Sequence, residues 1–175
     1  MKKGIALLVI VFMVTASFAQ QKKDDGQPYT ITQNEKEKIL KGLLSRAVIE
    51  SDTTFKWFGA NYKLGRVDAH AVDVFKKKGD SVHIVVFGGT WCEDTQNLLP
   101  QLYRLADSSH YADSSITLIG VDRNKRTLDG LSEAFHITNV PTFIVMHDGK
   151  EVGRIVEYGK YGQIDKELGE IVEKL

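Results

Sequence analysis

The chain has 175 residues, of which 42% are hydrophobic and 26% charged, the composition of an ordinary globular protein of one domain. Its 23 basic and 23 acidic residues cancel, and no stripe of arginine or lysine concentrates positive charge, so nucleic acid is not an expected partner.

Lys2 and Lys3 precede an apolar run from Ile5 to Val14, followed by Thr15-Ala16-Ser17-Phe18-Ala19-Gln20, the three-part layout of a secretory signal peptide. Small residues at Ser17 and Ala19 suit cleavage after Ala19, so residues 1–19 are expected to be removed and the protein to be exported, periplasmic or secreted. The alternative is an uncleaved anchor, for which the run falls short of the roughly 20 apolar residues that span a bilayer. No cysteine follows the run, which excludes a lipid-modified N-terminus, and no membrane association is expected after cleavage.

Residues 20–31 are polar, with Lys22-Lys23-Asp24-Asp25-Gly26 and Pro28, and read as a flexible leader. Residues 32–80 read as a helical and aromatic extension packed on the domain that follows. Thr32 and Glu35 form a capping-box signature, and Ile39, Leu40, Leu43, Leu44, Ala47 and Val48 recur at helical spacing, which predicts a helix over about 33–49. Phe55, Trp57, Phe58 and Tyr62 crowd a stretch with no clean period, suited to core packing or to a substrate-binding lip. Asp68 is a candidate cap for a short helix that turns Val72 and Phe75 inward and ends near Lys78-Gly79.

Over residues 81–175 the pattern alternates. Val82–Phe87 reads as a buried strand, Glu93–Asp107 as a helix, Ile116–Val121 as a strand and Leu128–Phe135 as a short helix. Thr142–His147 and Glu151–Glu157 read as strands joined by Asp148-Gly149, a strong hairpin signal, and Ile164, Leu168, Ile171, Val172 and Leu175 mark a closing helix. This order predicts an α/β fold, a sheet with parallel strands, helices on its faces and an antiparallel hairpin at the end.

The one cysteine, Cys92, falls in Gly88-Gly89-Thr90-Trp91-Cys92-Glu93-Asp94-Thr95, at a junction between strand and helix. Unpaired backbone N–H groups and the helix dipole favour an anion there, and the thiolate is the nucleophilic form of cysteine. One cysteine cannot form an internal disulfide, so Cys92 is a buried apolar filler, a free thiol or half of an intermolecular bond. The five histidines, at 70, 83, 110, 136 and 147, are scattered without an i, i+4 pair, so no metal site is expected, and nothing calls for a cofactor. Arg123-Asn124-Lys125-Arg126 is a basic loop, solvated or paired with Glu93 or Asp94.

Several offsets together give this chain a resemblance to the thioredoxin superfamily. Trp91-Cys92 follows a hydrophobic strand as in the family's Trp-Cys-x-x-Cys, and Pro100 stands eight residues after the cysteine. Val140-Pro141-Thr142-Phe143 is similar to the family's cis-proline segment, Gly149 lies eight residues beyond that proline, and Val121-Asp122 resembles the end of the preceding strand. The resemblance covers roughly residues 81–175. It implies a thioredoxin-like three-layer fold, a central mixed sheet flanked by helices, here with an N-terminal helical extension. It also implies a cis bond before Pro141 and a Val140 backbone that faces Cys92 and pairs with an extended substrate segment.

Two departures narrow what the resemblance implies. Thr95 replaces the second cysteine, so no internal thiol can resolve a mixed disulfide. Val86 and Leu118 stand where the family carries a buried acid and a buried lysine. What remains is monothiol exchange, with Cys92 as the catalytic residue and Trp91, Thr95, Val140 and Pro141 as the substrate-binding set; Thr95 is placed to donate a hydrogen bond to the Cys92 sulfur. The expected partners are proteins carrying disulfides or thiols and an external thiol reductant. The alternatives are a redox-inactive protein of the same fold that binds extended peptides, and a dimer linked through Cys92.

Overall fold

The computed structural model describes residues 20–22 and 27–175, so the segment 1–19 read as a signal peptide lies outside the described residues. Seven strands form one sheet: β1 (Gln20–Lys22), β2 (Tyr29–Gln33), β3 (Lys38–Leu44), β4 (Val82–Gly88), β5 (Ile116–Gly120), β6 (Thr142–His147) and β7 (Lys150–Val156). Their order across the sheet is β1-β2-β3-β5-β4-β6-β7. β4 and β5 run parallel, and every other neighbouring pair is antiparallel. The helices are α1 (Arg46–Ser51), α2 (Lys56–Leu64), α3 (Ala69–Lys78), α4 (Glu93–Ser109), α5 (Leu131–Ala134) and α6 (Ile164–Glu173).

Alternation along the central strands sends neighbouring residues to opposite faces of the sheet. Ile84, Val86, Leu118, Phe143 and Val145 meet Leu98 and Leu102 of α4 and Leu168 of α6 in the larger core. Val85, Phe87, Ile119 and Ile144 build the smaller core, with Phe135, Ile137 and Met146 packed against it. This is the three-layer α/β arrangement expected from the alternating elements. The Asp148-Gly149 turn has both residues at positive φ, +48° and +74°, the backbone that a tight hairpin of this hand requires.

The C-terminal elements match the sequence pattern closely. Asp68 caps α3 through Oδ1, which accepts the Ala71 N–H at 2.8 Å, and Val72 and Phe75 are buried. The helix expected from Leu128 starts instead at Leu131, whose N–H goes to Thr127 Oγ1 at 2.8 Å. Pro100 lies inside α4, buried among the core residues of that helix.

The N-terminal segment departs from expectation. In place of a flexible leader over 20–31 and a helix over 33–49, Tyr29–Gln33 and Lys38–Leu44 form a hairpin, and helix appears only at Arg46–Ser51. Asn34 closes the turn: its Oδ1 accepts the N–H groups of Lys36 and Glu37, a local alternative to a helical cap. β3 then pairs with β5 through Leu43↔Ile119 and Leu44↔Leu118, so the extension joins the sheet. Gly42, at φ +123°, permits the close approach of the chain entering β2, since a Cβ there would sit 2.5 Å from the Pro28 carbonyl oxygen.

The aromatic stretch after α1 is core. Phe55 and Phe58 are buried, and Phe58 meets Tyr103 of α4 edge-on with ring centroids 5.7 Å apart. That contact fastens α2 to α4, the helix that carries the candidate nucleophile at its head.

Candidate functional site

β4 ends at Gly88, and the chain turns through Gly89-Thr90-Trp91 into α4, with Cys92 as its N-cap. The turn is closed by the Cys92 N–H on the Gly89 carbonyl at 2.9 Å. A Cβ on Gly89 would stand 2.7 Å from the Trp91 ring, so a glycine is needed for the indole to fold back over the turn. Trp91 is fixed there by its Nε1, which donates to the Val121 carbonyl at 3.0 Å. Cys92 is half-buried and unpaired. It packs on the smaller core together with Trp91, against Val140 among others.

The second wall is the loop before β6. The Val140–Pro141 peptide is cis, and Cys92 Sγ lies 3.3 Å from the Val140 carbonyl oxygen, to which the thiol donates. Two contacts hold this loop: Thr142 Oγ1 donates to the Asn139 carbonyl at 2.7 Å, and the Glu157 N–H donates to the Pro141 carbonyl at 2.7 Å. Asn139 Nδ2 also donates to Glu157 Oε1 at 2.8 Å. The sulfur therefore lies against backbone carried by the β6 loop and braced from the end of β7.

Thr95 corrects one expectation. Its hydroxyl does not serve the sulfur; Oγ1 accepts the Gly89 N–H at 3.2 Å, and the residue is 2% exposed. Thr95 thus supports the turn from beneath and is placed as a structural residue of the loop. The reason is depth: one turn into α4, the side chain faces the core and the end of β4.

Beneath the turn, Val86 and Leu118 are opposite one another in the β4/β5 register and both are buried. The site therefore rests on apolar side chains at the two positions where a buried acid and lysine were compared.

Arg123 keeps the solvated position read for its loop, with a side chain 60% exposed. Its guanidinium pairs with Glu37, not with Glu93 or Asp94, and stands 5.1 Å over the Trp91 ring. The Arg123 hydrogen bond holds the Glu37 carboxyl below its ordinary range, against a smaller opposing effect of burial. Thr90 locks the same region to β3: its Oγ1 donates to the Lys38 carbonyl at 2.9 Å and accepts the Leu40 N–H at 3.2 Å. Gln96 Nε2 donates to the Thr90 carbonyl at 2.9 Å. Glu37, Thr90, Gln96 and Asn139 were not identified in the sequence, because their roles depend on β3 lying beside β5 and on the β6 loop meeting β7.

One thiol at the head of a long helix, set against the backbone of a cis-proline loop that leads into an interior strand of a mixed sheet, defines a protein of thiol chemistry on an α/β scaffold. A family model described as Thioredoxin matches residues 64–170, more than half of the chain. Thioredoxin of Staphylococcus saprophyticus is 31% identical over 93 residues, which cover 53% of this chain and 81% of the relative. Thioredoxin H2 of Arabidopsis thaliana is 25% identical over 95 residues, covering 54% and 66%. Among solved structures, an HIV epitope scaffold aligns with a TM-score of 0.54 at 15% identity over 74% of this chain and 91% of its own. A Pseudomonas aeruginosa protein described as of unknown function aligns at 0.51 and 16% identity, over 73% and 86%. These two likenesses concern the fold alone. The chain belongs to the thioredoxin family, whose general role is thiol–disulfide redox chemistry with thiol-containing proteins.

Proposed function

We propose that this protein is an exported monothiol member of the family that carries out thiol–disulfide exchange through Cys92, completed by a thiol from outside the chain. The observation that carries the reading is the 3.3 Å approach of Cys92 Sγ to the Val140 carbonyl, which sets the chain's one thiol against the backbone of the cis-proline loop. In the exchange, the Cys92 thiolate attacks one sulfur of a disulfide in a protein substrate, forming a mixed disulfide and expelling the other sulfur as a thiolate that takes up a proton. With Thr95 in place of a second cysteine, the mixed disulfide waits for an external thiol. Trp91, Val140 and Pro141 frame the groove in which the substrate segment lies; Thr95 acts by holding the Gly89 turn. Export is supported by the pattern of residues 1–19, and after cleavage the protein acts off the membrane, in the periplasm or beyond the cell.

The test compares the chain with Cys92→Ser in two assays. The natural chain is expected to form mixed disulfides with proteins of its compartment and to turn over a protein disulfide when a monothiol is supplied. Cys92→Ser is expected to do neither. A second reading, a peptide-binding protein without covalent chemistry, draws on the apolar Val86–Leu118 pair beneath the site, which offers no group for proton transfer. If Cys92→Ser retains the same partners with unchanged affinity, the binding reading replaces the first.

A further inference from the structure

Glu157, the residue after β7, has φ +53°, in the left-handed region that residues bearing a side chain seldom adopt. It opens the turn that leaves the strand, closed by the Gly159 N–H on the Val156 carbonyl at 3.0 Å. A positive φ at the first central position of such a turn favours glycine, asparagine or aspartate, so the backbone alone does not account for a glutamate here. Strained residues of this kind persist where surrounding contacts over-determine them, and they gather at functional sites.

Two hydrogen bonds carry Glu157 to the loop before β6. Its N–H donates to the Pro141 carbonyl at 2.7 Å and its Oε1 accepts Asn139 Nδ2 at 2.8 Å, so one residue grips the loop on both sides of Val140. A glycine in the same place would keep the first bond and lose the second. Among the described residues, that carboxylate is the sole acceptor for the Asn139 amide. Thr142 Oγ1 holds the Asn139 carbonyl at 2.7 Å, and Val140, 3% exposed, puts its own carbonyl 3.3 Å from Cys92 Sγ. The path from the Glu157 carboxylate to the sulfur therefore runs through one side-chain amide and one backbone residue.

We propose that Glu157 is a positioning residue for exchange: its carboxylate, through Asn139, fixes the Val140 backbone in the pose that meets the Cys92 sulfur, and with it the wall against which a substrate segment lies. The proposal rests on the exchange reading above. Glu157 transfers no proton or electron; it acts on where the loop stands. A small disulfide has only to reach the sulfur, whereas a peptide disulfide has also to lie along Val140 and Pro141, so the effect of Glu157 falls chiefly on the peptide.

The first arm of the test is independent of redox activity. In the isotope-labelled Glu157→Gly chain, the Val140 N–H and Asn139 side-chain amide resonances are expected to shift, while the urea midpoint holds, because glycine adopts φ +53° without strain. Unchanged Val140 and Asn139 resonances overturn the proposal. The second arm measures the rate at which Cys92 reacts with a short extended peptide whose cysteine is linked to 2-mercaptoethanol, and with hydroxyethyl disulfide. Glu157→Gly is expected to slow reaction with the peptide about tenfold more than reaction with the small disulfide, the loss of one hydrogen bond to a charged group. Glu157→Gln, whose side-chain carbonyl still accepts from Asn139, is expected to restore most of the rate. Asn139→Ala is expected to match Glu157→Gly, and the double variant to lose no more than either. Equal slowing with both disulfides overturns the proposal, as does a fall in peptide capture that follows a fall in stability, which assigns Glu157 a structural role alone. A Glu157→Gln chain as slow as Glu157→Gly also overturns it, since charge and not position then matters. If the natural chain reacts with neither disulfide, the exchange reading falls, and the Val140 and Asn139 resonances still decide whether Glu157 positions the loop.

Discussion

Thr95 stands where a second thiol completes the family's motif, and its surroundings define what a substitution there does. Its Oγ1 is the acceptor for the Gly89 N–H, so Thr95→Val leaves a buried donor unpaired and is expected to cost about 1–3 kcal/mol, read as a lower urea midpoint with unchanged slope. Thr95→Cys makes the same sacrifice but places a second sulfur one helical turn from Cys92. That variant is expected to form an internal disulfide and to gain disulfide reductase activity with an external dithiol, measured against a natural chain that shows little. The gain is expected to be modest, because Val86 and Leu118 supply no charged group to assist proton transfer. A variant that forms the disulfide yet reduces nothing shows that the groove beside Val140 does not admit a substrate, and the binding reading then gains.

At the scale of elements, the hairpin β2–β3 is fastened to the active turn by one side chain. Thr90 gives a hydrogen bond to the Lys38 carbonyl and takes one from the Leu40 N–H, so Thr90→Val strands a buried N–H and is expected to cost about 1–3 kcal/mol in urea unfolding, with faster proteolysis near residues 34–37. Leu40, 1% exposed, contributes to the larger core, and Leu40→Ala is expected to cost about 2–5 kcal/mol. If removal of residues 27–64 left a fragment as stable as the whole chain, these contacts would carry no weight; aggregation of the fragment is expected instead. The same hairpin shows where the sequence stops being legible. From the Asp68 cap of α3 onward, period, turn residues and caps largely agree, as again at Asp148-Gly149, and local chemistry decides. Ile39, Leu40, Leu43 and Leu44 satisfy a helical spacing, and only pairing with β5 and the Asn34 turn select the strand. The site divides in the same way: Cys92, Trp91 and Val140 could be read from fixed offsets. Glu37 and Thr90 gain their partners, Arg123 and the β3 backbone, only after the extension joins the sheet, and no local signal marks them.

Across the whole molecule, ion pairs tie the extension to the domain: Arg46 with Asp107 and Asp113, Lys41 with Asp122, and Glu37 with Arg123. The Arg46 hydrogen bond holds the Asp107 carboxyl below its ordinary 3.8, with burial opposing and the Tyr62 hydroxyl assisting. At Asp122 burial works upward, but the hydrogen bonds from Lys41 and from the Arg126 and Asn124 backbone outweigh it and the net direction is again down. Groups whose folded pKa is depressed stabilise the fold fully above the unfolded pKa, and that contribution drains away as pH falls toward the folded value, because the unfolded chain takes up protons first. The urea midpoint is therefore expected to be flat from neutral pH to about pH 5 and to decline below about pH 4. General charge repulsion also grows in acid, since 23 Lys and Arg residues then lack their carboxylate balance, so the decline by itself does not implicate these pairs. Arg46→Met separates the two effects. Without the guanidinium, Asp107 returns toward its ordinary value, and the variant is expected to be less stable at pH 7 yet to lose less stability between pH 4 and pH 2 than the natural chain. Parallel pH profiles for the two proteins would mean that the Arg46–Asp107 pair does not anchor the extension, and that its other contacts, among them Phe58 on Tyr103 and the β3–β5 pairing, hold it without that pair.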